Sequence, residues 1–143
     1  MIILDTNVVS EPLRPAPEAA VLAWLDQQAI ETLFLSTISL AELRYGVAAL
    51  PSGRRKEGLN AALDRVILLL GQRVLPFDAA AAEAYATIRA HSKTAGKAIA
   101  AADGYIAATA AAHGFAVATR DTGPFEAAGV AVINPWQNPP QVG

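Results

Sequence analysis

The segment Ile2-Ile3-Leu4-Asp5-Thr6-Asn7 decides how the rest of the chain is read. Three apolar residues stop abruptly at a polar Asp-Thr-Asn, which predicts a short buried strand feeding a turn. The pattern recurs. Leu33-Phe34-Leu35 runs into Ser36–Ser39, Val74-Leu75 precedes Pro76, Phe115–Ala118 precedes Thr119-Arg120-Asp121, and Ala131-Val132-Ile133 makes a possible fifth strand. Strands that are apolar throughout are covered on both faces, as in parallel sheets. Between them the spacing of Val21, Leu22, Trp24 and Leu25 predicts a helix over 18–29. Further helices are expected over 40–50, stopped by Pro51-Ser52-Gly53, and over 54–70, stopped by Gly71. Another is capped by Asp78, carries Ala82, Tyr85, Ile88 and Arg89, and is interrupted at Thr94-Ala95-Gly96. A last one over 101–113 ends at Gly114. Strands separated by helices predict an α/β sandwich with a mostly parallel sheet of four to five strands.

At 143 residues the chain is expected to form one domain around one core. A content of 53% hydrophobic and 17% charged residues is that of a globular protein and argues against disorder. Cysteine is absent, which excludes disulfides, thiolate zinc sites and a cysteine nucleophile. The two histidines, His91 and His113, make no His-x-x-x-His pair and give no support to a histidine zinc site or a Ser-His-Asp triad. Gly53 and Gly58 lack the surroundings of a phosphate-binding loop. A net charge of −2 brings no general attraction to nucleic acid, so a nucleic-acid enzyme here has to rely on local basic patches and metal ions. Met1–Leu4 is apolar, but no basic region precedes it and Asp5 follows at once. The apolar stretch 104–119 is short and broken by His113-Gly114. The chain therefore reads as soluble and cytoplasmic, without a membrane partner.

Open parallel sheets place their sites at the carboxyl ends of strands. Asp5 follows the first strand directly, and Asp121 lies three residues beyond the end of the fourth. Each acid also has a local explanation. Asp5 serves equally as a turn cap. Glu42 stands three residues after Ser39, the spacing of a capping box. Asp103 opens an alanine-rich helix and complements its dipole. Asp121 lies in a turn between Arg120 and Thr122-Gly123. Taken together, Asp5, Glu42, Asp103 and Asp121 converge on one sheet edge, and their repulsion calls for a proton or a cation. Oxygen-only ligands select a hard ion, Mg²⁺ or Mn²⁺. Such an ion orients water and neutralises a phosphodiester, so a phosphoryl hydrolase is one consistent outcome of this ligand set, though not the only one.

The order of these pieces resembles a known family. Asp5-Thr6-Asn7, Ser39-Leu40-Ala41-Glu42-Leu43, Ala102-Asp103 with Tyr105-Ile106-Ala107-Ala108, and Thr119-Arg120-Asp121 look like the PIN-domain nucleases, and within them the VapC toxins of toxin–antitoxin pairs. Leu4–Val8, Glu11-Pro12-Leu13-Arg14-Pro15, Ala101–Thr109 and Asn134-Pro135-Trp136 are similar to the FitB type. The resemblance runs over 1–136, with an irregular tail expected over 137–143. It implies a PIN-like three-layer α/β/α sandwich, a Mg²⁺- or Mn²⁺-dependent endoribonuclease acting on RNA, a homodimer, and a DNA-binding antitoxin whose arm blocks the pocket, often with an arginine. By position, Asp5, Glu42, Asp103 and Asp121 are then the four acids and metal ligands, with Thr119 supporting the pocket. Many relatives read Thr-Arg-Asn-x-x-Asp-Phe at the last motif. Here Asp121 takes the asparagine place and Pro124 the aspartate place, an arrangement shared by FitB-like sequences.

Thr6 and Asn7 are read as supporting the acids rather than reacting. Arg14, Arg44, Arg89, Lys93, Lys97 and Arg120 are candidates to steer RNA phosphate, or equally a solvated helix face. Trp24, Tyr45 and Tyr85 are expected in the core or a dimer interface, and Trp136 is expected to dock back onto the body. Two other functions remain open at this point. One is an inactive or weakly active PIN module that binds the antitoxin and co-regulates transcription. The other is a receiver-like phosphorylation domain, which wants an adjacent acid pair after the first strand, where Asp5 stands alone.

Overall fold

The computed structural model describes residues 1–137, so the tail expected over 137–143 lies, apart from Gln137, outside the described residues. Five strands, β1 (Ile2–Leu4), β2 (Leu33–Ser36), β3 (Val74–Leu75), β4 (Ala116–Ala118) and β5 (Val132–Ile133), form one sheet in the order β3-β2-β1-β4-β5. Every pairing in it is parallel. The helices are α1 (Thr6–Ser10), α2 (Ala19–Gln27), α3 (Thr37–Ala48), α4 (Arg54–Leu70), α5 (Ala79–Thr94), α6 (Ala101–His113) and α7 (Thr122–Ala127).

The strands alternate between two cores. Leu4, Leu33, Leu35 and Ala118 point to the side covered by α2, α3 and α4, where Trp24, Leu43, Val47, Leu63 and Leu70 are buried. Ile3 and Val117 point to the other side, against Ile88 of α5, Ile106, Ala107 and Ala110 of α6, and Phe125 of α7. The alanines of α6 leave no bulk between helix and sheet, so this helix lies close against the strands and α5 packs along it. The result is the α/β sandwich expected from the strand–helix alternation, in the three-layer form that the resemblance implied.

Two helices escape the sequence pattern. The turn expected at Asp5-Thr6-Asn7 is the start of α1, with Asp5 as its N-cap. The turn expected around Asp121 leads into α7, with Asp121 at the N-cap position but making no side-chain cap bond. The third helix begins at Thr37, earlier than expected, because Ser36 and not Ser39 caps it: Ser39 N–H donates to Ser36 Oγ at 3.1 Å. This overturns the capping box at Ser39 and Glu42, since Glu42 sits in the second turn with its side chain turned outward. Tyr45, expected to be core or interface, is 73% exposed and is no part of the core. Trp24 is buried as expected, and Trp136 packs against the α2–α4 side.

Candidate active site

Register brings the polar strand ends to one level. Leu4 pairs with Leu35 on one side and with Ala118 on the other, so Asp5, Ser36 and Thr119 follow side by side at the carboxyl edge. The chain winds away from β1 in both directions, and the crevice lies where that direction reverses, between β1 and β4.

Asp5 is only 6% exposed. Its Oδ1 accepts from Thr6 N–H at 2.7 Å and its Oδ2 from the Thr119 hydroxyl at 2.7 Å. Thr119 is wholly buried and in turn accepts from Asp121 N–H at 3.0 Å, so one hydroxyl fixes both Asp5 and the start of the loop carrying Asp121. Thr6 has a matching double role, since its hydroxyl donates to Glu42 Oε1 at 2.7 Å. Asn7 Oδ1 accepts from Arg120 N–H at 3.3 Å and ties α1 to the loop after β4. Asp103 stands half-buried in the first turn of α6, where no side chain caps the helix.

The four acids form one electrostatic group. Burial pushes the Asp5 carboxyl above the ordinary aspartate range; the hydrogen bonds from Thr119 and Thr6 pull it back, and the charges of Asp103 and Glu42 push it up again. Burial also raises Asp103, with Asp121 and Glu42 adding to the rise. The ion pairs among the described residues, Arg14–Glu11 and Arg44–Asp64, leave all four acids without a cation. The donor set is all oxygen, the chemistry of a hard divalent ion. Among the described residues, however, no three histidine or acidic side chains gather tightly enough to hold an ion unaided. The arrangement therefore fits a divalent ion held by one or two carboxylates that keeps several of its waters.

Beside Thr6 and Glu42 opens a cleft of about 310 Å³ with Leu13, Leu43, Val47 and Leu59 in its walls and Arg14 and Arg55 among its lining. Sequence reasoning missed the state of Glu11, which is 4% exposed. Its carboxyl is held below the usual range by the Glu18 N–H, with Arg14 and Arg120 contributing. The i,i+3 spacing of Glu11 and Arg14 was the available signal. Of the six cations named from the sequence, Arg44 is paired with Asp64 at 2.8 Å, Arg14 with Glu11 at 3.3 Å, and Arg120 lies 5.3 Å from the Trp136 ring centroid.

A parallel sandwich with buried Asp5 at the switch point and three further acids around it defines a class, and the chain belongs to the PIN domain family, whose model matches residues 2–130. It is 59% identical over 138 residues to the VapC ribonuclease Y4jK of Sinorhizobium fredii, covering 96% of this chain and 99% of that protein. It is 58% identical over 139 residues to the toxin FitB of Neisseria gonorrhoeae, covering 96% of this chain and 100% of that one. Its fold matches the crystal structure of FitAcB from Neisseria gonorrhoeae with a TM-score of 0.93 at 57% identity, covering 96% and 100% of the two chains. FitAB bound to the IR36 DNA fragment matches with the same score and identity, covering 96% and 97%.

Proposed function

We propose that Asp5, Glu42, Asp103 and Asp121 form the site at which this chain, the ribonuclease toxin of a toxin–antitoxin pair, hydrolyses RNA phosphodiesters. The reading is carried by one observation: residues 5, 42 and 103, from three separate segments, hold carboxylates within electrostatic reach of one another and, among the described residues, in no ion pair. Folding retains such repulsion where an ion is to be bound. Mg²⁺ is the proposed ion, with Mn²⁺ able to substitute; when bound it supplies an acidified water and charge neutralisation at the phosphate.

This chain's residues do the positioning. Asp5 and Asp103 are the proposed primary ligands, with Glu42 acting through water. Thr119 holds Asp5 in one orientation and, by donating to Oδ2, opposes the rise that burial imposes on its carboxyl. Thr6 orients Glu42 by donating to its Oε1. Asp121 is exposed beyond them and completes the negative field felt by Asp103. The partner is an antitoxin, proposed to be DNA-binding and to fill the cleft beside Thr6 and Glu42. The protein is proposed to act as a homodimer in the cytoplasm. Among the described residues no helix is long and apolar enough to cross a membrane.

Asp5→Asn is expected to abolish Mn²⁺-dependent cleavage of RNA while leaving the circular dichroism spectrum unchanged. Full activity in that variant overturns the assignment.

A further inference from the structure

We propose that a cavity at the corner between α5 and α6 binds a backbone phosphate of the RNA, as a subsite separate from the four acids. This rests on the ribonuclease reading above. The cavity measures about 470 Å³, and its lining includes Arg89, Ser92, Lys93, Gly96, Lys97 and Ile99.

The geometry of the corner gathers positive charge. At the end of α5, Gly96 N–H donates to the Lys93 carbonyl at 3.1 Å and Lys97 N–H to the Ser92 carbonyl at 2.9 Å, with Gly96 at φ +70°. This closure folds the chain back over the last turn and returns Lys97 beside it. Ala95 N–H takes the His91 carbonyl at 2.9 Å, so the carbonyls that would repel an anion are engaged. Arg89 and Lys93 are four residues apart and share a helix face, where like charges repel. Among the described residues neither they nor Lys97 has a carboxylate partner. Arg89 is oriented by donating to the Tyr85 hydroxyl at 3.1 Å, with its guanidinium carbon 5.8 Å from that ring centroid.

A second observation points the same way. Ser92 is 4% exposed and among the described residues its hydroxyl has no hydrogen-bond partner. A buried hydroxyl left unpaired is costly, and turned toward the cavity it would be satisfied by an anion or by the water bound to one. Three unpaired cations around a buried unpaired donor make a site for a phosphate rather than a solvated face.

RNA is the occupant the fold favours. Lys97 is six residues before Asp103, three of them in the first turn of α6, so their Cα atoms are at most roughly 16 Å apart. Among the described residues the acids pair with no basic side chain, so the proposed ion serves only the phosphate under attack. The flanking strand then needs an anchor beside the acids, by contacts that position without reading sequence.

The test is binding of a fluorescein-labelled single-stranded oligoribonucleotide, followed by anisotropy as a function of salt, in the Asp5→Asn background. Lys93→Gln/Lys97→Gln is expected to weaken binding about tenfold and to lower the slope of log affinity against log salt by about 0.7, the loss of one phosphate contact on a single strand. Ser92→Ala is expected to weaken binding several-fold with an unchanged salt slope. Arg54→Gln/Arg65→Gln, which removes two charges from α4, is expected to change neither. Unaltered affinity and slope in the lysine variant, or equal losses in the α4 control, overturn the subsite while leaving the nuclease reading intact. A wild-type protein that neither binds nor cleaves RNA overturns both.

Discussion

Replacing Thr119 by valine keeps the shape of a wholly buried side chain and removes both of its hydrogen bonds. The bond to the Asp5 carboxylate is charge-assisted and is worth about 1.5–3 kcal/mol. The Asp121 N–H that Thr119 accepts lies near solvent and regains water, so its loss costs less. The added methyl returns about 0.8 kcal/mol of burial. The net expectation is a loss of about 2 kcal/mol. For 143 residues the unfolding entropy is about 0.3 kcal/mol per kelvin, so Tm should fall by about 7 °C at fixed protein concentration. The loss should also depend on pH. Asp5 has a raised carboxyl, so the folded state binds its proton more tightly than the unfolded chain, and stability from this group is present in acid and lost as pH rises through the folded value. Thr119 opposes that rise by bonding the ionised form. Without it the Asp5 carboxyl climbs further, the variant loses more stability with pH, and its gap from the wild type widens from pH 4 upward. Urea unfolding in EDTA at several pH values reads this directly. A gap that is constant with pH, or a Tm change under 2 °C, refutes the role assigned to this hydroxyl. Activity should fall about 10–100-fold, as for other residues that orient a ligand from behind.

Asp5→Asn, inactive on RNA, should be more stable than the wild type in EDTA near neutral pH, because it relieves the buried charge and its repulsion by Asp103 and Glu42; a thermal melt below that of the wild type would contradict this. Ser36→Ala removes the cap of α3 and should cost about 1 kcal/mol, seen as a Tm lowered by about 3 °C. Gly104→Ala puts a Cβ 3.0 Å from the Tyr85 ring, which is held by Tyr105 and Phe77. Despite the better helix propensity it should destabilise by about 1 kcal/mol, and a rise in Tm would show that the ring yields freely.

The strands were legible because a parallel sheet buries both faces, which leaves short unbroken apolar runs such as Ile2-Ile3-Leu4. The long helices were legible from caps and stops such as Asp78, Gly71 and Gly114. The missed helix α1 has five residues, too few for a helical period to show. The helix α7 was hidden by Thr122-Gly123-Pro124, which reads as a turn. The start of α3 was displaced because Ser36 and Ser39 are both good caps, and only the register of β2 decides between them. Asp5 and Asp121 were found by the strand-end rule, Glu42 and Asp103 by their places in early helical turns and by the resemblance. What the sequence could not show is the wiring between them, because Thr119 and Asp5 are 114 residues apart. Thr119 had been placed behind the pocket by resemblance; the bond explains why. Glu42 lost its capping role and gained Thr6 as a donor, while Tyr45 lies outside the core of the chain on the exposed face of α3.

The pairing of β1 with β4 has a consequence for a cell that makes this toxin. Asp5 is translated well before the strand that supplies Thr119 and the segment bearing Asp121. At roughly 5–20 residues per second, the 116 residues from Asp5 to Asp121 take roughly 6–23 s to synthesise. Throughout that interval the central strand lacks one neighbour and the carboxylates cannot meet. A chain that stops before β4 is therefore expected to leave the RNA around it uncut. The proposed site is complete only once Asp121 has been made and β4 has paired with β1, an interval in which an antitoxin already present can be waiting.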